Sequence, residues 1–435
     1  MTPSELSAGD TAWVLIATAL VLVMVPGLSL FYGGLVRGRS SLNTVMMSLA
    51  ALGLVTVQWV VVGYSFAFDT GTPVLGGLSF AGLEGVSLAP NATYAATIPH
   101  AAFAAFQAMF AGITVALISG AVIERMRFKA WLVFALAWTT LVYDPLAHWV
   151  WGEGGWLRSS GALDFAGGTV VHVSAGTSAL VLAWMLGRRR DATQVPHNVP
   201  FTMLGAGLLW FGWFGFNGGS ALAANELAGL AFSNTFLAPM ATLVVWTLLD
   251  YVRTGRATAV GAATGIVVGL VAITPAAGFV SPASALLLGG LAAFPSYFAI
   301  ALRSRTRVDD SLDVFAGHGV GGLTGALLTG VLAEKVWNSA GNDGLFFGNP
   351  GQLGVQALGC LSAAAYAAIM TFVILKAMAF VTALRAVPRT EGVGMDVSQH
   401  GEEAYASGEG SILVPPEAAI LSDTVPALTP QAASR

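Results

Sequence analysis

Charge is scarce in this sequence. Only 10% of its 435 residues are Asp, Glu, Lys or Arg, while 55% are hydrophobic; soluble domains carry roughly 25% charge. So few charges cannot coat the two or three water-facing domains that the length alone would allow. Disorder is excluded as well, because it needs low hydrophobicity and high net charge. Cysteine is nearly absent. Cys360 stands alone, so neither a disulfide framework nor a cysteine-bound metal centre can form. The net charge is −4 and the basic residues fall in short clusters, which argues against a nucleic-acid partner. There is no H-E-x-x-H, no G-x-S-x-G and no paired aspartate set within an apolar run. Nothing therefore points to an enzyme, a bound metal or a cofactor.

Long apolar runs are what the chain does have. Stretches of about 20 apolar residues cross a bilayer as helices. Eleven are read, at 11–35, 41–66, 99–121, 128–150, 167–187, 200–223, 234–252, 258–275, 280–301, 312–334 and 354–384. The 53 glycines suit closely packed membrane helices. The first span is not read as a cleaved signal, because the residues before it carry Glu5 and Asp10 and no Lys or Arg. The expected fold is all-α and integral to the membrane.

Orientation follows from the basic residues. Arg37 and Arg39 follow the first span; Arg125, Arg127 and Lys129 the third; Arg188, Arg189 and Arg190 the fifth. Arg253 and Arg256 follow the seventh, Arg303, Arg305 and Arg307 the ninth, and Lys376, Arg385 and Arg389 lie at or after the eleventh. Only Arg158 and Lys335 fall in the alternate loops. The expectation is an N-terminus outside, a C-terminus in the cytoplasm and a site in the cell (inner) membrane. Residues 1–10 would be external, 11–187 and 188–334 two five-helix halves, and 335–387 an outer loop and the eleventh helix. From 388 to 435 a polar cytoplasmic tail is expected, disordered after about Gly410.

A repeat relates the halves. Asp164 precedes His172 by eight residues, and Asp310 precedes His318 by eight. Small residues follow each histidine. One motif sits on the fifth span and the other on the tenth. Two five-span halves have opposite orientations, which is the inverted-repeat plan of many transporters, with the site between the halves.

An ionisable residue inside a span is costly and marks a functional candidate. His172 and His318 fit that description. Symmetry would bring them together, where two neutral imidazoles can share a hydrogen bond. The plainer reading is two separate buried histidines bonded to carbonyls. Asp164, at the start of the fifth span, could cap the helix or stabilise a cation, and capping with an indirect electrostatic effect is favoured. Asp310 and Asp313 start the tenth span, and Asp309-Asp310 could be a solvated ion-pair cluster. Phe216 and Ser220 are four apart and share a helix face. Most tryptophans read as an interfacial belt, but an aromatic ring beside a hydroxyl also suits a small cation.

Five strings carry a specific resemblance: G-A-L-D-F-A-G-G-T-V-V-H (161–172), G-W-F-G-F-N-G-G-S (212–220), A-N-E (224–226), D-V-F-A-G-H-G-V-G-G (313–322) and D-V-S-Q-H-G-E-E-A-Y (396–405). Together they resemble the Amt branch of the ammonium transporter family (Amt/Mep/Rh), from about Gly9 to Tyr405. The resemblance implies that Trp151, Phe110 and Ser220 recruit ammonium at an outer site. Phe110 and Phe216 would be the stacked gate, and His172 and His318 the paired histidines of a hydrophobic pore. Asp164 would be the acid near the outer site, with Phe106, Tyr143 and Trp213 lining or supporting the pathway. It also implies a homotrimer and a PII-type signal protein bound at the cytoplasmic face. Gly317 departs from the bulkier aliphatic of many members, which could loosen packing beside His318. Residues 406–435 extend past the family's tail. The alternative function is an ammonium sensor signalling through that tail.

Overall fold

The computed structural model describes residues 5–191 and 195–405. The tail extension at 406–435 lies outside the described residues.

Among the described residues, ten helices are long and apolar enough to cross a membrane: α1 (Ala8–Leu35), α2 (Gly38–Phe68), α3 (His100–Ser119), α4 (Phe128–Ser159), α5 (Gly168–Leu186), α6 (Val199–Gly219), α7 (Glu226–Thr254), α9 (Pro282–Arg303), α10 (Phe315–Leu332) and α11 (Gly351–Val381). The shorter α8 (Ala259–Ile273) lies between α7 and α9. The eleven apolar runs are thus eleven helices, with one correction. The eighth run, expected at 258–275, is helical for only 15 residues, about 23 Å at 1.5 Å per residue, against a hydrocarbon thickness of about 30 Å. Pro275 follows, and residues 274–279 continue as turns. Non-helical backbone at membrane depth is tolerated only inside protein, and residues 271–280 are all buried.

Side-chain caps set several starts. Asn198 accepts from the Phe201 N–H at the head of α6, Asn225 from Ala228 at α7 and Ser281 from Ser284 at α9. Asn225 belongs to the A-N-E string, and its cap moves the start of α7 to Glu226, ahead of the apolar run at 234. The segment between α2 and α3 is not wholly irregular. It carries an antiparallel pair, β1 (Pro90–Asn91) with β2 (Ala95–Pro99).

The halves meet at glycines. α1 and α6, the first helix of each half, pack along their length. A Cβ on Gly215 would sit 2.6 Å from Leu20 Cβ, and one on Gly27 would sit 3.0 Å from Leu208 Cβ. α5 and α10, the last helix of each half, touch backbone to backbone. A Cβ on Gly176 would run into the Gly319 main chain, and one on Gly322 would stand 2.8 Å from His172 Cβ. Both helices begin with a widened π turn, Gly168–Val173 in α5 and Phe315–Val320 in α10. Each histidine sits within its turn, and such turns concentrate at functional positions.

The arginine-bearing loops are tied by buried ion pairs. Arg189 reaches Glu124 at 2.6 Å and Asp309 at 2.9 Å, each side chain under a tenth exposed. Burial alone would raise the Asp309 carboxyl, but the hydrogen bonds and charge of Arg189 outweigh it and hold Asp309 at about 2. Asp309-Asp310 is therefore not a solvated cluster. Asp309 joins the loop after α5 to the loop before α10, and Asp310 accepts the Phe315 N–H at 2.7 Å at the head of α10.

The described part of the tail, up to Tyr405, is folded. After α11 it forms two short helices, α12 (Pro388–Val393) and α13 (Met395–His400). It docks on the arginine-bearing loops of its own chain. Asp396 accepts from the Leu42 and Asn43 N–H groups at 3.0 and 2.7 Å, capping the α-helical part of α2, which starts at Ser41 after a 3-10 turn at Gly38–Ser40 and where Ser40 supplies no side-chain cap. Met395 is fully buried, and His400 sits 3.0 Å from Asn43 Oδ1.

Candidate functional site

Three spaces follow one another between the helices of the chain. The first is a cavity of about 220 Å³ at the end carrying the β pair, lined by Tyr94, Gln107, Phe110, Trp151, Arg158 and Ser220 among others. The second is a narrow lumen of about 10 Å³, no more than the space of one water-sized molecule, walled by Leu28, Ile113, Leu117, Leu209 and Val267 with His172 and His318. The third is a vestibule of about 560 Å³ opening at the arginine-rich end. His318 and Phe31 line both the lumen and the vestibule.

In the first cavity the indole of Trp151 stands edge-on to Phe110, centroids 6.2 Å apart at 87°. Its Nε1–H donates to the Asp164 carbonyl at 2.9 Å, which fixes the ring. Ser220 donates its hydroxyl to the Phe216 carbonyl at 2.8 Å, leaving the oxygen lone pairs for the cavity. Beneath, Phe110 and Phe216 stack at 4.1 Å and 14°. Phe110 faces the cavity and Phe216 faces the lumen, so this pair divides the two spaces. Phe106 braces Phe110 from behind at 4.9 Å.

The Asp164 carboxylate does not face the cavity. It accepts the N–H groups of Gly167, Gly168, Thr169 and Val170 at 2.8, 2.6, 2.8 and 3.1 Å. These are the orphan donors at the head of α5. Asp310 caps α10 through the Phe315 N–H on one of its oxygens. The eight-residue spacing from acid to histidine thus sets a capped helix start before each π turn.

The histidines are paired. His318 Nδ1 lies 3.2 Å from His172 Nδ1, with ring centroids 5.3 Å apart. One Nδ1–H must donate to the other's lone pair. The donor ring then keeps a lone pair on Nε2, and its partner keeps an Nε2–H. A neutral pair so joined offers one acceptor and one donor. His172 Nε2 has no hydrogen-bond partner among the described residues. Trp213 stacks on His172 at 5.4 Å and is anchored through Nε1 to Thr274 at 2.9 Å. Apart from that tied indole, the histidines are the polar side chains of the lumen wall.

Tyr143 stands outside the path. It is buried with its ring 6.2 Å from Trp59 and lines none of the three spaces. Gly317 lines the vestibule, and a Cβ there would meet nothing within 4 Å. No packing around His318 is loosened by the missing side chain. Tyr94, Gln107, Arg158 and Thr274 were not found from sequence. Gln107 sits three residues before Phe110 on α3 and shares its face, a signal that was there to read. Tyr94 comes from an irregular loop and carried none.

The Ammonium Transporter Family profile matches residues 12–405. An ammonium transporter of Bacillus subtilis is 46% identical over 399 residues, covering 91% of this chain and 98% of its own. One from Aquifex aeolicus is 48% identical over 413 residues, covering 92% and 94%. Among solved structures, the crystal structure of Saccharomyces cerevisiae Mep2 superposes with a TM-score of 0.86 at 37% identity, covering 94% of each chain.

Proposed function

The chain belongs to the ammonium transporter family, and on that premise we propose that ammonium gives up its proton at the aromatic gate to solvent water of the outer cavity and that ammonia passes along the histidine-paired lumen. The proton then stays outside or crosses separately. The observation that carries this is the division of the path. An aromatic-rimmed cavity with polar lining and a narrow, largely apolar lumen lie on opposite faces of one stacked phenylalanine pair.

Ammonium is a cation at neutral pH. In the first cavity the Trp151 and Phe110 rings offer cation–π attraction and Ser220 replaces a lost water, a combination suited to a small cation. The lumen offers no charge. Moving a bare cation through such an apolar stretch costs several kcal/mol. Neutral ammonia avoids that cost and meets the free donor and acceptor of the histidine pair in turn. Potassium has no proton to give up and stays behind the gate. Selectivity then rests on acid–base chemistry, with no size filter. The π turns serve this path by turning both imidazoles into the lumen at one level.

The arginine-rich end is cytoplasmic on the distribution of basic residues, so the aromatic cavity faces outward. A homotrimer with one path per subunit, and a PII-type protein on the cytoplasmic face, complete the assembly that the family resemblance implies.

The test is selective conduction by purified protein in liposomes. Ammonium gradients should drive transport, and equal potassium gradients should not. Current during ammonium transport would show that the proton crosses too; its absence with ammonia flux intact would show that the proton stays outside. Potassium flux comparable to ammonium flux would refute the gate.

A further inference from the structure

Arg158 is one of two basic residues in the loops expected to face outward, and the function just proposed gives it no role. It is exposed, and it lines the same cavity as Trp151, Phe110 and Ser220. Its Nη1 donates to the Trp151 main-chain carbonyl at 2.7 Å, which pins the guanidinium at the rim beside the indole. It takes part in none of the ion pairs among the described residues. The acids around it form no ion pair with it and keep their own charges, so its effect is the one-unit change at the mouth when Arg158 alone is replaced. Asp164 is committed to four N–H groups, and Asp69 accepts from Thr70 and Ser79. Glu153 is exposed to water at the same rim, with its N–H on the Tyr94 hydroxyl at 2.7 Å.

From this geometry we infer that Arg158 sets the ammonium affinity of the outer cavity by repulsion: a fixed positive charge at the mouth of a cation-recruiting site holds its half-saturation above what the aromatic cage alone would give. The inference rests on the aromatic cavity being the recruitment site. At a separation of roughly 6 Å between the guanidinium and a cation held on the Trp151 ring, with water-like screening, one unit of charge changes cation occupancy by about threefold. The repulsion acts across solvent, so salt must screen it; the Debye length falls from about 30 Å at 0.01 M to near 4 Å at 0.5 M. Arg158 thus acts on any monovalent cation at the mouth, while the gate below decides which cation can proceed as a neutral molecule.

The experiment uses the full chain in liposomes and measures the half-saturation for ammonium-driven transport at about 0.01 M and about 0.5 M salt. Arg158→Gln keeps a donor for the Trp151 carbonyl and should lower half-saturation about threefold at low salt. Arg158→Glu reverses the charge and should lower it further. Both should converge on the unsubstituted protein at high salt. A positioning role alone predicts another order: Gln near the parent and Glu worse than either, with no salt dependence. Half-saturation in Arg158→Glu that is unmoved or raised at low salt, or a shift that high salt leaves intact, overturns the inference. Trp151→Leu is run beside them. If it leaves half-saturation unchanged, recruitment lies elsewhere and the inference falls with it. If it raises half-saturation while the Arg158 variants do not move, the recruitment site stands and the repulsive role alone is refuted.

Discussion

Replacing Asp164 with Asn separates a structural acid from a substrate-binding one. The Asp164 carboxylate takes four backbone N–H groups, two on each oxygen, all within 3.1 Å. Asn keeps one oxygen and turns an NH2 group toward donors that it cannot serve. About two N–H groups are left buried and unpaired, at roughly 1–3 kcal/mol each. The expected loss is therefore about 2–6 kcal/mol, a large share of the 5–15 kcal/mol by which folded domains are usually stable. The same change loosens the Asp164 carbonyl that holds the Trp151 indole. The assay is thermal unfolding in detergent, followed by ammonium uptake at equal amounts of folded protein. The transition should fall clearly, and remaining folded protein should transport poorly. If the transition does not move while half-saturation rises, Asp164 binds the cation directly, and the capping account is refuted.

Four further outcomes are expected. Trp151→Leu removes a cation–π face worth about 0.5–2 kcal/mol, so half-saturation for methylammonium uptake should rise about two- to thirtyfold; an unchanged value would move the recruitment site. His172→Asp or His318→Asp puts a carboxylate in the lumen, and potassium should then pass or block; full exclusion of potassium by such a folded variant would refute deprotonation at the gate. Asp309, held at about 2 by Arg189 against its burial, has a native pKa below the unfolded value near 3.9. Its stabilising contribution is present above that value and is lost as pH falls from about 4 to about 2, so unfolding measured across this range should steepen in the parent and flatten in Asp309→Asn. Asp396→Ala removes the cap of α2 at about 0.5–2 kcal/mol; protease should then reach the tail after α11 faster while α1–α11 stay resistant, and an unchanged digestion pattern would refute that docking.

What the sequence determined on its own was whatever a single segment had to solve alone. Each apolar run must close its own backbone hydrogen bonds in lipid, so ten of eleven runs were legible as spanning helices from hydropathy. His172 and His318 were legible because an ionisable side chain within such a run is costly enough to stand out, and the matched Asp-to-His spacing showed two copies of one device. The limits of that logic appear at α8, where hydropathy could not tell that backbone after Ile273 leaves the helix, since surrounding protein and not the segment itself makes that turn tolerable. Tertiary structure alone decided what depends on surfaces meeting. The contact of Gly176 with Gly319 brings the two imidazoles to 3.2 Å. The commitment of Asp309 to Arg189 turns an apparent solvated cluster into a buried tie. The outer cavity gathers Tyr94 from a loop, Gln107 from α3 and Arg158 from the end of α4. No periodicity joins such residues, because a cavity is the space left between elements, and its lining is fixed only when the helices have chosen their partners.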